Sequence, residues 1–246
     1  MSDIQSKPFG KYDRYGAYHW REIQPVPTRH NAVLTARYQV LLKRIDRHAR
    51  DILDVGCGDG TLTFALARRS AQVCGVDDAL LPLRLAVQEF SRRRRALRPL
   101  LSQADARQLP FPDEAFDCVV LADVIEHIAA PDMVMREAHR ILRKGGQIVL
   151  TTPRRQGTEA AHEYHCREYT GTELRDLLAA SFHAVHVEAF QPVNVARLYE
   201  RRTLGRKLFR LAMNCMAISG WNPLAGTGSL AYEARYTDLC ASGRKA

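Results

Sequence analysis

The sequence predicts an α/β protein with a doubly wound, mostly parallel sheet and helices on both faces. Between residues 51 and 152, short apolar runs alternate with stretches whose apolar residues recur at helical spacing. A loop with glycines at alternate positions follows the first apolar run, and the 246 residues suffice for one such domain with additions at its ends. This alternation is typical of βαβ units, which build a parallel sheet.

Five strands and three helices are predicted in this region. The strands are residues 51–55, 72–77, 99–103, 116–122 and 147–152, and the helices are residues 61–69, 82–96 and 131–142. Lys144, Gly145 and Gly146 are expected to form the turn before the fifth strand. A helix over residues 171–181, with Thr170 as its N-cap, and a strand over residues 183–190 follow.

The chain divides into four parts in this interpretation. Residues 1–50 hold a basic and aromatic arm, interpreted as a lid, and a helix from about residue 31 to residue 47; residues 51–190 form the sheet core. Residues 191–230 are a helical insertion, and residues 231–246 hold a final strand, over 232–241, and a tail. No stretch approaches the roughly 18 apolar residues of a spanning helix, and the first residues lack a secretory pattern, so a cytoplasmic protein is expected.

The cysteine spacing indicates the state of the thiols, and the charge distribution indicates the class of binding partner. The six cysteines lie far apart without CxxC spacing, so we expect free, buried thiols. The formal charge of +9 is concentrated in Arg92–Arg95 with Arg98 and in residues 197–210. These clusters would attract nucleic acid, anionic lipid or a phosphorylated substrate, or else form solvated helix faces.

Basic and apolar residues are interleaved over residues 195–218, as in a helix that lies on a membrane surface. This pattern predicts peripheral contact with the inner membrane surface and a lipid-linked acceptor. The alternative is a helix that caps the active site or packs on a partner subunit.

Residues 54–60, with the sequence DVGCGDG, place Gly56, Gly58 and Gly60 between a strand and a helix. Such a loop lets the main chain approach a ligand closely, next to the unpaired amides of a helix N-terminus. The GxGxG spacing differs from the dinucleotide fingerprint GxGxxG, and the acidic Asp54 and Asp59 suit a cationic ligand better than a phosphate. A methionine moiety with an ammonium and a sulfonium is such a ligand.

Further candidate ligands follow the other strands. Asp77 ends the second strand, about 20 residues after the glycine loop, where a carboxylate accepts hydrogen bonds from both hydroxyls of a ribose. Asp105 and Ala106 follow the third strand, where they can contact an adenine amino group, and Leu121 is expected to close the site after the fourth strand. All these positions lie at the carboxyl ends of strands, where open α/β sheets bind ligands.

The motifs DVGCGDG at 54–60, VD at 76–77, ADA at 104–106, LPF at 109–111 and FDCVV at 116–120 together resemble those of class I S-adenosylmethionine-dependent methyltransferases. The resemblance covers about residues 50–153 and implies a Rossmann-like fold with S-adenosyl-L-methionine as cofactor.

Two further segments are similar to the small-molecule branch of this class, methyltransferase type 11, which includes ubiquinone-pathway O-methyltransferases. They are DVIEHI at 123–128 and RILRKGG at 140–146.

The resemblance also implies roles for individual residues. Asp54, Gly56 and Gly58 would surround the methionine part of the cofactor, Asp77 would bind the ribose, and Asp105 and Ala106 the adenine. Asp78 can share the ribose role, although the family commonly has a hydrophobic residue there.

His127 is the candidate catalytic residue. It follows the fourth strand, near the expected position of the transferred methyl group, and histidine titrates near neutral pH. It would act as a base for an acceptor hydroxyl or, alternatively, as a hydrogen-bonding wall of the pocket.

Three residues after the fourth strand are candidate ligands of a divalent metal ion. Asp123, Glu126 and His127 repeat the spacing by which some ubiquinone-pathway enzymes are implied to hold a divalent ion, of which magnesium would suit the oxygen ligands best. Many relatives keep Glu-His without metal, so we do not expect an ion. His162, His165 and Cys166 would add ligands, line the acceptor pocket or lie at its edge.

The sequence therefore predicts methyl transfer to an oxygen, or less readily a nitrogen or carbon, of a small-molecule or lipid-linked acceptor. An RNA methyltransferase is one alternative, but charge alone supports it, since no Asn-Pro-Pro-Tyr type motif or RNA-binding module is found. A non-catalytic relative that binds the cofactor is the other. The acceptor itself is not predicted, because the lid and the insertion form that pocket.

Overall fold

An eight-stranded sheet with the strand order β3-β2-β1-β4-β5-β8-β6-β7 organises the computed structural model. The structure describes residues 10–70, 72–93, 99–157, 162–200 and 204–246. The strands are β1 (Asp51–Val55), β2 (Gln72–Asp77), β3 (Leu100–Gln103), β4 (Phe116–Ala122), β5 (Leu142–Pro153), β6 (His183–Pro192), β7 (Thr227–Gly228) and β8 (Tyr236–Arg244). Strands β1 to β5 pair in parallel, and β8 runs antiparallel to β5 and β6. This confirms the predicted doubly wound, mostly parallel sheet.

Helices connect these strands and precede them. They are α1 (Lys11–Tyr15), α2 (Tyr18–Glu22), α3 (Ala32–Arg44), α4 (Thr61–Ala67), α5 (Leu80–Ser91), α6 (Pro131–Ile141), α7 (Gly171–Ala179), α8 (Val193–Glu200) and α9 (Leu204–Ile218). Short 3-10 helices span Ile125–His127, Pro223–Ala225 and Leu230–Arg235. Thr170 caps α7 through a capping box with Glu173, as its position before that helix predicts.

Alternate residues of the central strands point to opposite faces of the sheet, and each face carries its own hydrophobic core. Leu53 of β1 and Leu121 of β4 belong to the core that α6 and α7 cover. Ile52 and Val120, one position earlier in each strand, belong to the core that α3, α8 and α9 cover. The period of two along a strand produces this division. Helices therefore lie on both faces, as predicted.

The predicted turn at Lys144–Gly146 is wrong, because these residues lie inside β5. The left-handed φ of +74° at Gly145 and a register shift opposite β4 accommodate them in the strand. Main-chain hydrogen bonds complete the pairing: the Gly145 amide donates to the Lys245 carbonyl at 3.0 Å, and the Lys245 amide to the Gly146 carbonyl at 2.9 Å. The partner lies about a hundred positions away, where local sequence patterns cannot indicate it.

Two other element predictions need correction. Residues 232–235 belong to a 3-10 helix, so the final strand begins at Tyr236 and continues to Arg244. The basic segment 195–218 forms two helices, α8 and α9, rather than one. The predicted division into four parts is not tested by these observations and remains a prediction.

All six cysteines are free thiols, as predicted, but they are not all buried. Cys57, Cys118 and Cys240 are buried, whereas Cys215 is exposed on α9. In the first basic cluster, Arg92 and Arg93 pair with Glu89 on the surface of α5; Arg94, Arg95 and Arg98 lie outside the described residues.

Candidate active site

The loop after β1 adopts a conformation that requires its glycines. Gly56, Gly58 and Gly60 have φ values of +68°, +54° and +75°, in the left-handed region that strains other residues. A Cβ atom at Gly56 would lie 2.5 Å from a methyl group of Val124, so the loop packs directly against the turn after β4. The alternating glycines therefore bring the first and fourth strand ends into contact.

Asp77 joins this loop to the next helix. Its carboxylate accepts hydrogen bonds from the Gly58 amide at 2.9 Å and from the Ala79 amide at 3.0 Å. Burial raises the pKa of Asp77 to about 6, although both of these hydrogen bonds oppose the shift. Each carboxylate oxygen has a second lone pair, so the two main-chain bonds leave capacity to accept from the hydroxyls of a ribose.

Asp54 lies one layer deeper in the site. It is 1% exposed and accepts a hydrogen bond of 2.6 Å from the Thr63 hydroxyl. Burial raises the pKa of Asp54 to about 7, the Thr63 bond opposes the shift, and the negative charge of Asp77 adds to it. A neighbouring cation would favour the charged carboxylate, so the position suits a ligand that carries an ammonium or sulfonium.

The expectation that Asp59 would face a cationic ligand is not met. Its buried carboxylate accepts hydrogen bonds from the Thr61 hydroxyl at 2.8 Å and the His19 amide at 3.1 Å, and it lies 3.2 Å from His19 Nδ1. The Asp59 carbonyl also accepts from the indole of Trp20 at 2.6 Å. Asp59 therefore anchors α2 to the glycine loop.

The aromatic arm lies over the glycine loop. A Cβ atom at Gly58 would collide with the Tyr12 hydroxyl, and the ring of Tyr18 lies 4.0 Å from that of His19. Trp20 packs edge-on against Phe64, with ring centroids 5.3 Å apart. Burial raises the pKa of Tyr12 and of Tyr18, so both remain protonated hydroxyls at neutral pH. The arm therefore covers the glycine loop, and its role as a lid remains a prediction.

The remaining predicted cofactor residues differ in their exposure to solvent. Asp78 is exposed, as is Asp105, which pairs with Arg107 at 2.7 Å. Ala106 is half-buried beside it. The Leu121 side chain is fully buried in the hydrophobic core, and its role in closing the site remains a prediction. A hydrogen bond thus joins Asp77 to the glycine loop, whereas the carboxylate of Asp105 is paired with Arg107.

Arg37 is a residue that the sequence interpretation missed. Its guanidinium pairs with Asp123 at 2.7 Å and with Asp238 at 2.8 Å, and Asp123 also accepts a 2.9 Å hydrogen bond from Thr151. Asp123 has a φ of +54°, uncommon for a residue other than glycine. In the sequence, its buried role is indicated only by its position as a single arginine within the largely apolar run VLTARYQVLL of α3. These contacts commit Asp123 to Arg37 and Thr151.

The short 3-10 helix Ile125–His127, in the turn after β4, carries Glu126 and His127. His127 Nδ1 lies 2.9 Å from the Tyr164 carbonyl, which places the ring proton on Nδ1 and a lone pair on Nε2. Burial lowers the pKa of His127, so the ring is neutral at pH 7. The main chain of Cys166 donates to the Glu126 carbonyl at 2.7 Å, which brings the segment with His162 and His165 alongside.

Comparisons with known proteins relate this chain to methyltransferases. Residues 53–150 match the family model of a methyltransferase domain. The chain is 30% identical over 155 residues to a ubiquinone biosynthesis O-methyltransferase of Pseudomonas putida, a match that covers 62% of this chain and 65% of the relative. Over residues 53–150 the chain is therefore similar to methyltransferases. The match spans just under two thirds of that relative's length.

Solved structures of methyltransferases share the fold of this chain. A "possible histamine N-methyltransferase" of Thermotoga maritima has a TM-score of 0.64 at 20% identity, with 96% of this chain and 98% of that chain covered. A phosphoethanolamine N-methyltransferase of Haemonchus contortus, bound to S-adenosylhomocysteine, has a TM-score of 0.66 at 19% identity, with 95% and 59% covered. At these identities the likeness extends to the fold alone.

The contact between Gly58 and Tyr12 predicts different outcomes for two glycine substitutions. Gly58→Ala and Gly145→Ala both place a methyl group at a left-handed φ, but the second meets no atom within 4 Å. Both should cost about 1–2 kcal/mol of stability through backbone strain. Gly58→Ala alone should displace Tyr12 and speed amide hydrogen exchange in residues 11–22, by about tenfold or more. Equal exchange of that segment in the two variants would contradict the contact of the arm with the loop.

Proposed function

We propose that this chain transfers a methyl group from S-adenosylmethionine to an oxygen of a small-molecule or lipid-linked acceptor. The observation that carries the proposal is the contact between Gly56 and Val124. His127 follows Val124 by three residues, so this contact supports a position for His127 near the loop that would hold the methionine part of the cofactor. Cofactor binding and proton acceptance would thus occur on two adjacent strand ends.

The residues of the glycine loop fit this cofactor. When bound, S-adenosylmethionine supplies a methyl group already activated by the positive sulfur. Asp54 would stabilise the positive charge of the methionine part beside Gly56 and Gly58, and Asp77 would accept from the ribose hydroxyls. Asp78 would share that role, Asp105 and Ala106 would contact the adenine, and Leu121 would contribute through its main chain.

His127 would serve as the base. Its Nε2 lone pair would accept the proton of the acceptor hydroxyl while that oxygen gains the methyl group and the cofactor leaves as S-adenosylhomocysteine. The Tyr164 carbonyl holds the ring in the tautomer this requires. In-line positioning supplies much of the remaining rate, and the arm over the glycine loop would help to exclude water.

Asp77→Ala should weaken binding of S-adenosylhomocysteine by about tenfold or more, because a charged hydrogen-bond acceptor is lost. Calorimetric titration of the purified chain measures this affinity, with nicotinamide cofactors as ligand controls. Asp132→Ala, on the exposed first turn of α6, is the matched variant and should bind normally. Unchanged affinity in Asp77→Ala would remove the ribose assignment, and no binding by the unmodified chain would refute the cofactor.

His127→Ala should lower the rate of methyl transfer by about 10²- to 10⁴-fold while S-adenosylhomocysteine still binds. The assay follows labelled methyl groups from S-adenosylmethionine into an aqueous small-molecule extract and a lipid extract. His183→Ala, at an exposed histidine that begins β6, is the control. A variant at position 127 as fast as the control would exclude the base role. Cofactor binding without turnover in any extract would favour a non-catalytic relative.

A lipid-linked acceptor is favoured by one specific surface. Leu208 and Trp221 are 71% and 66% exposed, and the exposed Lys207 precedes Leu208 on α9; the guanidinium of Arg210 instead lies over the ring of Tyr199. The opposite side of α9 is buried: Met213 packs in the core, and Asn214 donates to the Pro27 carbonyl at 2.7 Å. Within the described parts of the chain, no helix is both long and apolar enough to cross a bilayer. We therefore propose peripheral contact of α9 with an anionic lipid surface.

Leu208→Glu should reduce co-sedimentation with phosphatidylglycerol vesicles by about tenfold, since a buried leucine contributes about 1.5–3 kcal/mol. Leu100→Glu is the matched control, because Leu100 is 70% exposed on β3 and the charge change is the same. Phosphatidylcholine vesicles should bind weakly in every case. Equal loss in both variants would indicate general charge repulsion, and no binding by the unmodified chain would leave a water-soluble acceptor as the proposal.

A further inference from the structure

Three side chains capable of binding a metal meet next to the turn after β4. Glu126, His127 and His165 each offer one ligand atom, and these atoms lie within 4.8 Å of one another. Glu126 Oε1 is 4.0 Å from His127 Nε2, and the rings of His127 and His165 are nearly perpendicular with centroids 5.0 Å apart. Two imidazoles and one carboxylate thus converge on one point.

Glu126 is the least accessible member of this cluster. Its side chain is fully buried, and its Oε2 accepts a 3.0 Å hydrogen bond from Thr152. Its other oxygen, Oε1, has no hydrogen-bond partner among the described residues and faces His127. A buried acceptor without a partner destabilises the folded chain. A cation or a hydrogen-bond donor next to this oxygen would therefore be stabilising.

The imidazoles are oriented in the way that metal ligands usually are. His127 Nδ1 lies 2.9 Å from the Tyr164 carbonyl, and His165 Nδ1 lies 2.8 Å from the buried carboxylate of Glu168. A histidine ligand commonly donates its second ring nitrogen to a carbonyl or carboxylate in this manner, which fixes the tautomer. In each ring the nitrogen that carries the lone pair is then Nε2.

This donor set differs from the oxygen-rich set implied by the family resemblance. Asp123 pairs with Arg37 and accepts a hydrogen bond from Thr151, and the third member of the cluster is the imidazole of His165 rather than a second carboxylate. Two imidazole nitrogens and one carboxylate oxygen suit zinc or another divalent transition metal, whereas magnesium prefers oxygen ligands and retained water. The residues therefore do not fit a magnesium site.

We propose that Glu126, His127 and His165 bind one divalent transition-metal ion, such as Zn²⁺, and that the bound ion blocks methyl transfer. The ion would take the Nε2 lone pair of His127 that otherwise accepts the proton of the acceptor. Ligand atoms around tetrahedral zinc lie about 3.3 Å apart, so binding requires modest side-chain rotation. The inhibitory part rests on the proposed function; the binding part does not.

Binding is tested by calorimetric titration of the full chain, stripped of metal with a chelator, with ZnCl₂ and separately with MgCl₂. We expect one zinc site and weaker or no magnesium binding. Glu126→Gln and His165→Ala should each weaken zinc binding by about tenfold or more, whereas His183→Ala should not. Affinity for S-adenosylhomocysteine reports whether each variant is folded, and His165→Gln replaces His165→Ala if the latter is not.

Three results would overturn the site. They are absence of zinc binding in the unmodified chain, zinc binding that is unaffected in folded Glu126→Gln and His165 variants, and tighter binding of magnesium than of zinc. The first two would assign the cluster to hydrogen bonding alone, and the third would restore an oxygen-rich site.

The inhibitory part is tested by the ratio of methyl-transfer rates with and without saturating zinc. We expect a ratio of about one tenth or less in the unmodified chain and a ratio near one in a folded His165 variant, whatever its own rate. Zinc binding with an unchanged rate would overturn the inhibition. Zinc binding in a chain without turnover would instead refute the proposed function and leave the site standing.

Discussion

The guanidinium of Arg37 connects three parts of the molecule that are distant in sequence. From α3 it pairs with Asp123 in the turn after β4 and with Asp238 in β8. All three side chains are largely buried, and an ion pair withdrawn from water persists only when its partners are well placed. The turn that carries Val124, Glu126 and His127 is thereby fixed relative to the sheet and to the helix that covers it.

This ionic contact also explains how the turn tolerates an uncommon backbone. Asp123 has a left-handed φ, which persists where the surroundings over-determine it, and here Arg37 and Thr151 hold its carboxylate. The glycine loop meets the turn from the other side through Gly56 and Val124. Two strained segments therefore support each other at the point where cofactor and acceptor would meet.

Most of the sheet is predictable from sequence because its signals are local. The bounds of β1, β2 and β4 agree with the apolar runs, and Asp54 and Asp77 lie at the glycine loop as their positions at strand ends predict. The errors at β5 and β8 arise where a strand's partner is remote, as for the pairing of Gly146 with Lys245.

The candidate site is less predictable because its key contacts join distant segments. From its position Asp59 is expected to bind a cation. In the fold its carboxylate accepts from the His19 amide and its carbonyl accepts from the Trp20 indole, 40 and 39 positions earlier. Likewise, the spacing of Asp123, Glu126 and His127 suggests that these three residues are the ligands of a metal. In the fold, however, Asp123 pairs with Arg37, and His165 lies next to Glu126 and His127. Charge and spacing indicate which residues are able to bind, and packing decides what they contact.

The position of β8 has a consequence for how the chain folds. This strand is made after β6, yet it lies between β5 and β6 and pairs with both. Until it is in place, β5 and β6 each present an open edge to a gap one strand wide, and such edges invite association between chains. The sheet cannot grow in the order of synthesis, so insertion of β8 is a late, non-local step that also delivers Asp238 to Arg37.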